Sequence, residues 1–205
     1  MLGLLLALAV QDAPATPAQG VIDAEYAFAA DAQTLGQWTA FRKWASDDAT
    51  MFTPAPVNAQ NWLKDRADPP AAIAWWPTAS YIACDGSLAV TTGGWERPDG
   101  TTGSFTTVWD HQPDGGWKWI VDYGDLDPAP GRTGQPEVQT ADCGEAIQWE
   151  KDDDAPGVTE TGASDDSTLV WRWVSFPDGY RSIEVLLWDG DGWTPVLSRE
   201  MSASE

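Results

Sequence analysis

A chain of 205 residues with 42% hydrophobic residues and 14 tryptophans can bury a sizeable core, which excludes an intrinsically disordered polymer. Thirty-two acidic residues against 11 basic ones give a net charge of −21 and a pI near 4.1; that balance excludes nucleic acid and anionic membrane surfaces as partners and reads as the solubility of an exported protein. No G-x-G-x-x-G, P-loop, G-x-S-x-G or H-E-x-x-H motif is present, so nucleotide, serine-hydrolase and zincin chemistry have no support in the sequence.

Met1–Val10, MLGLLLALAV, is an apolar run too short to span a bilayer and close to a signal-peptide core. Residues 1–20 are therefore expected to be a signal segment and flexible leader, with export to the periplasm or beyond. No basic residue precedes the run, which suggests a start further upstream. Val21, Phe28, Ala32 and Leu35 then recur at helical spacing, followed by Trp38, Phe41 and Ala45. Asn58 is placed to cap a helix over Ala59–Asp65, with Val57 and Trp62 as a hydrophobic staple, and Pro69-Pro70 ends it. Ala71–Trp76 is expected to add one turn, and Thr78–Cys84 to start a sheet. Cys84 and Cys143 are the only cysteines; in an exported chain they suggest a disulfide, the alternative being two buried thiols. With the single His111 they cannot supply the four protein ligands of a usual zinc site, so no metal and no cofactor is expected.

Thr106–Asp125, TTVWDHQPDGGWKWIVDYGD, is the most informative stretch. Pro113-Asp114-Gly115-Gly116 supplies a tight reversal between flanks rich in β-branched and aromatic residues. The expected register sets Thr107 opposite Asp122, Trp109 opposite Ile120, Phe105 opposite Gly124, Val108 opposite Val121 and Thr106 opposite Tyr123. A preceding hairpin turns at Arg97-Pro98-Asp99-Gly100 and sets Thr92 against Phe105, Val90 against Thr107 and Leu88 against Trp109. One face then carries Leu88, Val90, Thr92, Phe105, Thr107, Trp109, Ile120 and Asp122. The other carries Trp95, Trp117, Trp119 and Tyr123 among hydroxyls. The first is taken as the core face, with its polar members at one end lining a cavity around Asp122. His111, beside the turn, reads as exposed.

Beyond Asp125 the composition changes. Residues 127–136 read as a linker, Val138–Cys143 as a short strand and Glu150–Asp166 as a mobile acidic loop. Thr168–Val174, Arg181–Trp188 and Trp193–Leu197 read as strands of a β-rich extension, 137–205, which is too small to stand alone and is expected to pack on what precedes it. Asp189-Gly190-Asp191-Gly192 lacks the later bidentate Glu of a calcium loop and reads as a turn. The W-x-W pairs Trp117/Trp119 and Trp171/Trp173 read as packed strand faces.

The order AEYAFAADAQTLGQWTAFRKWASDDATMFTPAPVNAQNWL, then CDGSLAVTTGGW, then GSFTTVWDHQPDGGWKWIVDYGD resembles the SnoaL-like and ketosteroid-isomerase-like members of the nuclear transport factor two-like superfamily. The resemblance spans about residues 21–125, within a domain expected over residues 21–126. It implies an α+β cone in which N-terminal helices pack on a curved, mostly antiparallel sheet around a pocket. It also implies a small apolar or carbonyl-containing ligand and, in superfamily members that are enzymes, a cavity carboxylate partnered by a further Tyr, His, Asp or Arg. Asp122 is the candidate carboxylate, and Thr92, Phe105, Thr107, Trp109 and Tyr123 the candidate ligand contacts. Glu25, Tyr26, Asp31 and Arg42 are helix residues whose facing the sequence leaves open. Two functions follow: an exported binding protein without strong catalysis, or an isomerase, dehydratase or hydrolase using Asp122 as general acid/base. A homodimer through the outer sheet face is expected unless the C-terminal strands cover it.

Overall fold

The computed structural model describes residues 16–132, 134–144, 146–149 and 157–201. Residues 1–15, the expected signal segment and the first half of the leader, lie outside them. Helix α1 (Pro17–Leu35) begins inside the stretch read as leader, because Pro17 at the first turn and the Thr16 hydroxyl, which accepts from the Gln19 amide at 3.3 Å, start it there. Val21, Glu25, Phe28 and Ala32 form its buried stripe, and Gly36, at φ 105°, ends it. Helix α2 (Gln37–Trp44) is capped from a distance: Asp68 accepts from the Thr39 amide at 2.9 Å and from its hydroxyl at 2.6 Å. Those bonds hold the Asp68 carboxyl below its ordinary range. Asn58 caps α3 (Ala59–Leu63) by accepting from the Asn61 amide at 2.9 Å.

The helices lie on the concave side of a seven-stranded sheet of order β2-β1-β6-β5-β4-β3-β7. Its strands are β1 (Ala45–Phe52), β2 (Pro56–Asn58), β3 (Ala74–Ile82), β4 (Leu88–Glu96), β5 (Thr102–His111), β6 (Trp117–Asp125) and β7 (Glu137–Thr140). β1 runs parallel to β6 and β7 parallel to β3; the remaining neighbours are antiparallel. β3 starts at Ala74, where a helical turn was expected. Pro77 is tolerated in it because a register shift lies between Pro77 and Ala79 and the pairing with β7 begins only at Ala79.

Both long hairpins turn through x-Pro-Asp-Gly-x loops, Arg97–Thr101 and Gln112–Gly116. In each the first residue's amide donates to the fifth carbonyl at 2.8 Å, the Gly amide donates back to the first carbonyl at 2.9 Å, and Gly100 and Gly115 sit at φ 84°. The first loop residue therefore opposes the fifth, and β4 pairs with β5 one residue away from the expected register: Thr91 faces Thr107, Thr92 faces Thr106 and Val90 faces Val108. A one-residue slip exchanges the faces of a strand. Ala89, Thr91 and Trp95 thus lie on the concave face, and Leu88, Val90 and Thr92 on the convex one. In β6 a bulge leaves Ile120 as the extra residue. Past it the expected pairs hold, Thr107 with Asp122 and Val108 with Val121, whereas Trp109 pairs with Trp119. Trp95, Trp117 and Trp119, expected on the outer face, are buried in the concave core.

The second sheet, order β11-β10-β9-β8, comprises β8 (Val158–Ala163), β9 (Leu169–Ser175), β10 (Arg181–Trp188) and β11 (Trp193–Met201). β8 occupies part of the segment read as a mobile loop. β9 and β10 are joined by a third such loop, Phe176–Tyr180, with Gly179 at φ 91°. Leu169, Trp171, Trp173, Ile183, Val185 and Leu187 interleave with Leu88, Val90, Val108, Val121 and Tyr123 of the first sheet's convex face. Cys84 and Cys143 are disulfide-bonded, tying the β3–β4 turn to the segment after β7.

Candidate functional site

On the concave side the helices and sheet enclose a cavity of about 200 Å³. α1 and α2 contribute Phe28, Gln37, Trp38 and Phe41, and the sheet contributes Met51, Trp75, Trp95, Phe105, Thr107, Asp122 and Gly124; Arg97 stands at the rim. The walls are a lattice of edge-to-face rings, with Phe28 centred 4.9 Å from Phe41 and 4.8 Å from Trp75, and Trp38 5.6 Å from Phe41. Such pairs add about 0.5–1.5 kcal/mol each beyond the area they bury, which makes the walls stiff.

Asp122 is the one carboxylate among the described lining residues. β6 presents it between β1, where it pairs with Met51, and β5, where Thr107 faces it. The Thr107 hydroxyl donates to its Oδ2 at 3.4 Å. Loss of water around the carboxylate pushes its pKa up to about 7; the charge of Glu25 pushes the same way, and the Thr107 bond pulls weakly back. Near neutral pH the group is therefore poised between its protonated and ionised forms.

Glu25 lies fully buried on α1. The Trp75 indole donates to its Oε1 at 2.6 Å, and the Thr91 hydroxyl and Trp109 indole donate to its Oε2 at 2.6 and 3.1 Å. Trp109 also donates to the Thr91 hydroxyl oxygen, at 2.9 Å. Burial raises the Glu25 pKa despite these three donors. Through Trp75, which belongs to both groups, this network anchors a wall of the cavity.

Of the residues expected from the sequence, Asp122, Thr107 and Phe105 line the cavity together. Trp109 is on the concave face but is spent on Glu25. Thr92 and Tyr123 are on the opposite face: the Thr92 hydroxyl donates to the Phe105 carbonyl at 2.6 Å, and the Tyr123 hydroxyl donates to the Arg181 carbonyl at 3.3 Å. The β4 slip displaces Thr92; Tyr123 follows from alternation with Asp122, its chain neighbour. His111 stacks on Trp117 with ring centroids 4.6 Å apart. The Asp189 carboxylate accepts from the Asp191 and Gly192 amides and the Thr194 hydroxyl, so it is used within its own turn. The sequence reading missed Gln37, Trp38, Phe41, Trp75, Trp95 and Arg97 as lining residues. It left Glu25 open, although the 21, 25, 28, 32 spacing places Glu25 on the buried stripe.

Helices closing a curved sheet over an apolar, carboxylate-bearing cavity define an α+β cone. The chain is similar to a nuclear transport factor 2 (NTF2-like) superfamily protein from Salmonella enterica serovar Typhimurium, with 18% identity over 58% of this chain and 94% of that one and a TM-score of 0.41. It is also similar to a provisionally named ketosteroid isomerase from Parabacteroides distasonis, with 16% identity, 53% and 89% coverage and a TM-score of 0.42. A provisionally named aromatic ring hydroxylase from Novosphingobium aromaticivorans shares 16% identity, with 57% and 93% coverage and a TM-score of 0.40. No protein-family model and no curated protein matches the chain.

Proposed function

We propose that the cavity binds a small apolar molecule of one or two rings whose carbonyl oxygen accepts a hydrogen bond from Asp122. The observation that carries this is a carboxylate that is single among the described lining residues, with Thr107 beside it, set in walls of Phe28, Phe41, Trp75, Trp95 and Phe105. A volume of about 200 Å³ lies below the roughly 300–1,000 Å³ of sites for drug-sized ligands, which favours a compact ligand. We further propose that the protein works in an oxidising, exported setting. The Cys84–Cys143 disulfide supports this, and no helix among the described residues is long and apolar enough to cross a membrane.

The test compares 1-tetralone with its carbonyl-free counterpart tetralin by calorimetry and tryptophan quenching. Below pH 7 the ketone should bind roughly fivefold to tenfold tighter, the value of one hydrogen bond, and the preference should fade above pH 8 as Asp122 ionises. Equal affinities at every pH would defeat the reading. A pKa near 7 favours a second reading, in which ionised Asp122 removes a proton from the carbon next to the ligand carbonyl. Deuterium incorporation at that carbon of 1-tetralone in D2O, abolished in Asp122→Asn, tests it; no incorporation by the parent protein leaves binding alone.

A further inference from the structure

We propose that Arg181, carried by the second sheet, is a positioning residue for the cavity: it fastens the loop after β1 to the end of β6 and so sets the cavity mouth. In its significance for ligand binding this rests on the reading of the cavity given above.

The parallel ladder between β1 and β6 ends at Met51 and Asp122. Beyond it the chain turns through Thr53, Pro54 and Ala55 into β2, with only the Thr53 amide donating to the Ala55 carbonyl at 2.9 Å within the turn. Phe52, Thr53 and Gly124 line the cavity at this end. Arg181 takes over where the ladder stops. Its Nη1 donates to the Pro54 carbonyl at 2.9 Å, and its Nη2 donates to the Gly124 carbonyl at 3.0 Å and to Asp125 Oδ1 at 2.7 Å. Its Nε donates to the same carboxylate oxygen at 3.2 Å. One planar guanidinium thus spans two backbone segments that flank the mouth, one of them two residues from Asp122.

The same sheet supports the rings beside this clamp. Phe52 packs edge-on against Trp173, centroids 5.2 Å apart, and against Tyr123 at 5.0 Å. Arg181 and Asp125 are 7% and 5% exposed. A buried pair of that kind is not obviously favourable for stability, since an apolar pair of equal volume often does as well. An ion pair with Asp125 alone could also be made by lysine; the two carbonyl bonds need the fork geometry of arginine. What the arginine adds is therefore a fixed distance between Pro54 and Gly124.

The experiment uses the full chain with Arg181→Met and Arg181→Lys. Amide hydrogen exchange by NMR, urea unfolding and 1-tetralone affinity are the readouts. Both variants should speed exchange at Thr53 and over Gly124–Asp125 by about tenfold or more, the value of hydrogen bonds to a charged donor, relative to amides in the centre of β4 and β5. 1-Tetralone binding should weaken with them. Lysine should recover global stability over methionine through Asp125 without recovering protection at Thr53. Unchanged exchange at Thr53, or acceleration by one factor throughout the chain, would overturn the proposal. Should Arg181→Met not fold, the lysine variant decides by the same comparison of Thr53 with β4 and β5. If the parent protein does not bind 1-tetralone, the ligand reading fails, and the exchange comparison still decides the role of Arg181.

Discussion

Replacing Asp122 by Asn tests the electrostatics of the cavity without depending on any ligand. The folded protein holds this carboxyl at about 7 against an ordinary 3.8. A group whose pKa rises on folding contributes stability in its protonated form, below 3.8, and that contribution is lost as pH climbs through the folded value. At about 1.4 kcal/mol per pH unit the gap sets a ceiling near ~4 kcal/mol, and screening by water at the open mouth brings the expectation to about 2–4 kcal/mol. Asparagine keeps the shape and a hydrogen-bonding partner for Thr107 but never carries the charge. The variant should therefore gain on the parent progressively between pH 4 and pH 7.5, reach that full advantage by pH 8, and show a pH-independent difference below pH 4. Urea unfolding of both proteins at half-unit intervals gives the difference curve directly. A flat curve, or an Asn variant that loses ground as pH rises, would refute the assignment of a desolvated carboxylate.

Glu25→Gln should cost about 1–3 kcal/mol, because an amide NH2 in either oxygen's place confronts the Trp75, Thr91 or Trp109 donors. Removing the Glu25 charge should also lower the Asp122 midpoint, read by carboxyl ¹³C NMR; an unmoved midpoint would break the link between the two groups. Reducing the disulfide, or replacing both cysteines by serine, should cost about 4 kcal/mol for a sequence separation of 59 residues. Guanidinium unfolding with and without reductant should show it, and a difference under ~1 kcal/mol would contradict the expectation. Gly93→Ala should lower stability by about 1–3 kcal/mol, since its Cβ would stand 2.0 Å from the Trp76 carbonyl oxygen. Gly131→Ala, with nothing within 4 Å, is the control and should leave the thermal midpoint unchanged.

The sequence carried the α+β architecture and the register position of Asp122 opposite Thr107 well because both rest on local signals: the α1 stripe, the Asn58 cap and the x-Pro-Asp-Gly-x loops. It carried faces less well, since a face depends on the parity of the register. The loop geometry itself shifts pairing by one residue from the expected arrangement. In β5–β6 the bulge at Ile120 cancels that shift before Thr107 and Asp122 are reached, whereas β4–β5 has no such bulge, so Thr92 lands on the wrong side and Thr91 on the right one. The rest of the cavity wall was hidden for a different reason. Gln37, Trp38 and Trp75 meet only through tertiary packing, and nothing in their spacing distinguishes a ring facing a cavity from one facing a filled core. The acidic composition of residues 150–166 likewise masked β8, whose Glu160 accepts from the Trp173 indole at 3.1 Å and from the Thr50 hydroxyl at 3.3 Å.

The convex face of the first sheet meets its cover within one molecule, Val90, Val108 and Tyr123 lying against Trp171, Trp173 and Ile183 supplied by the same chain. Two surfaces joined by a tether see each other at an effective concentration on the order of millimolar, whatever the concentration of protein. The stability of a homodimeric cover falls with dilution; here the same apolar contact is a first-order equilibrium that dilution does not weaken.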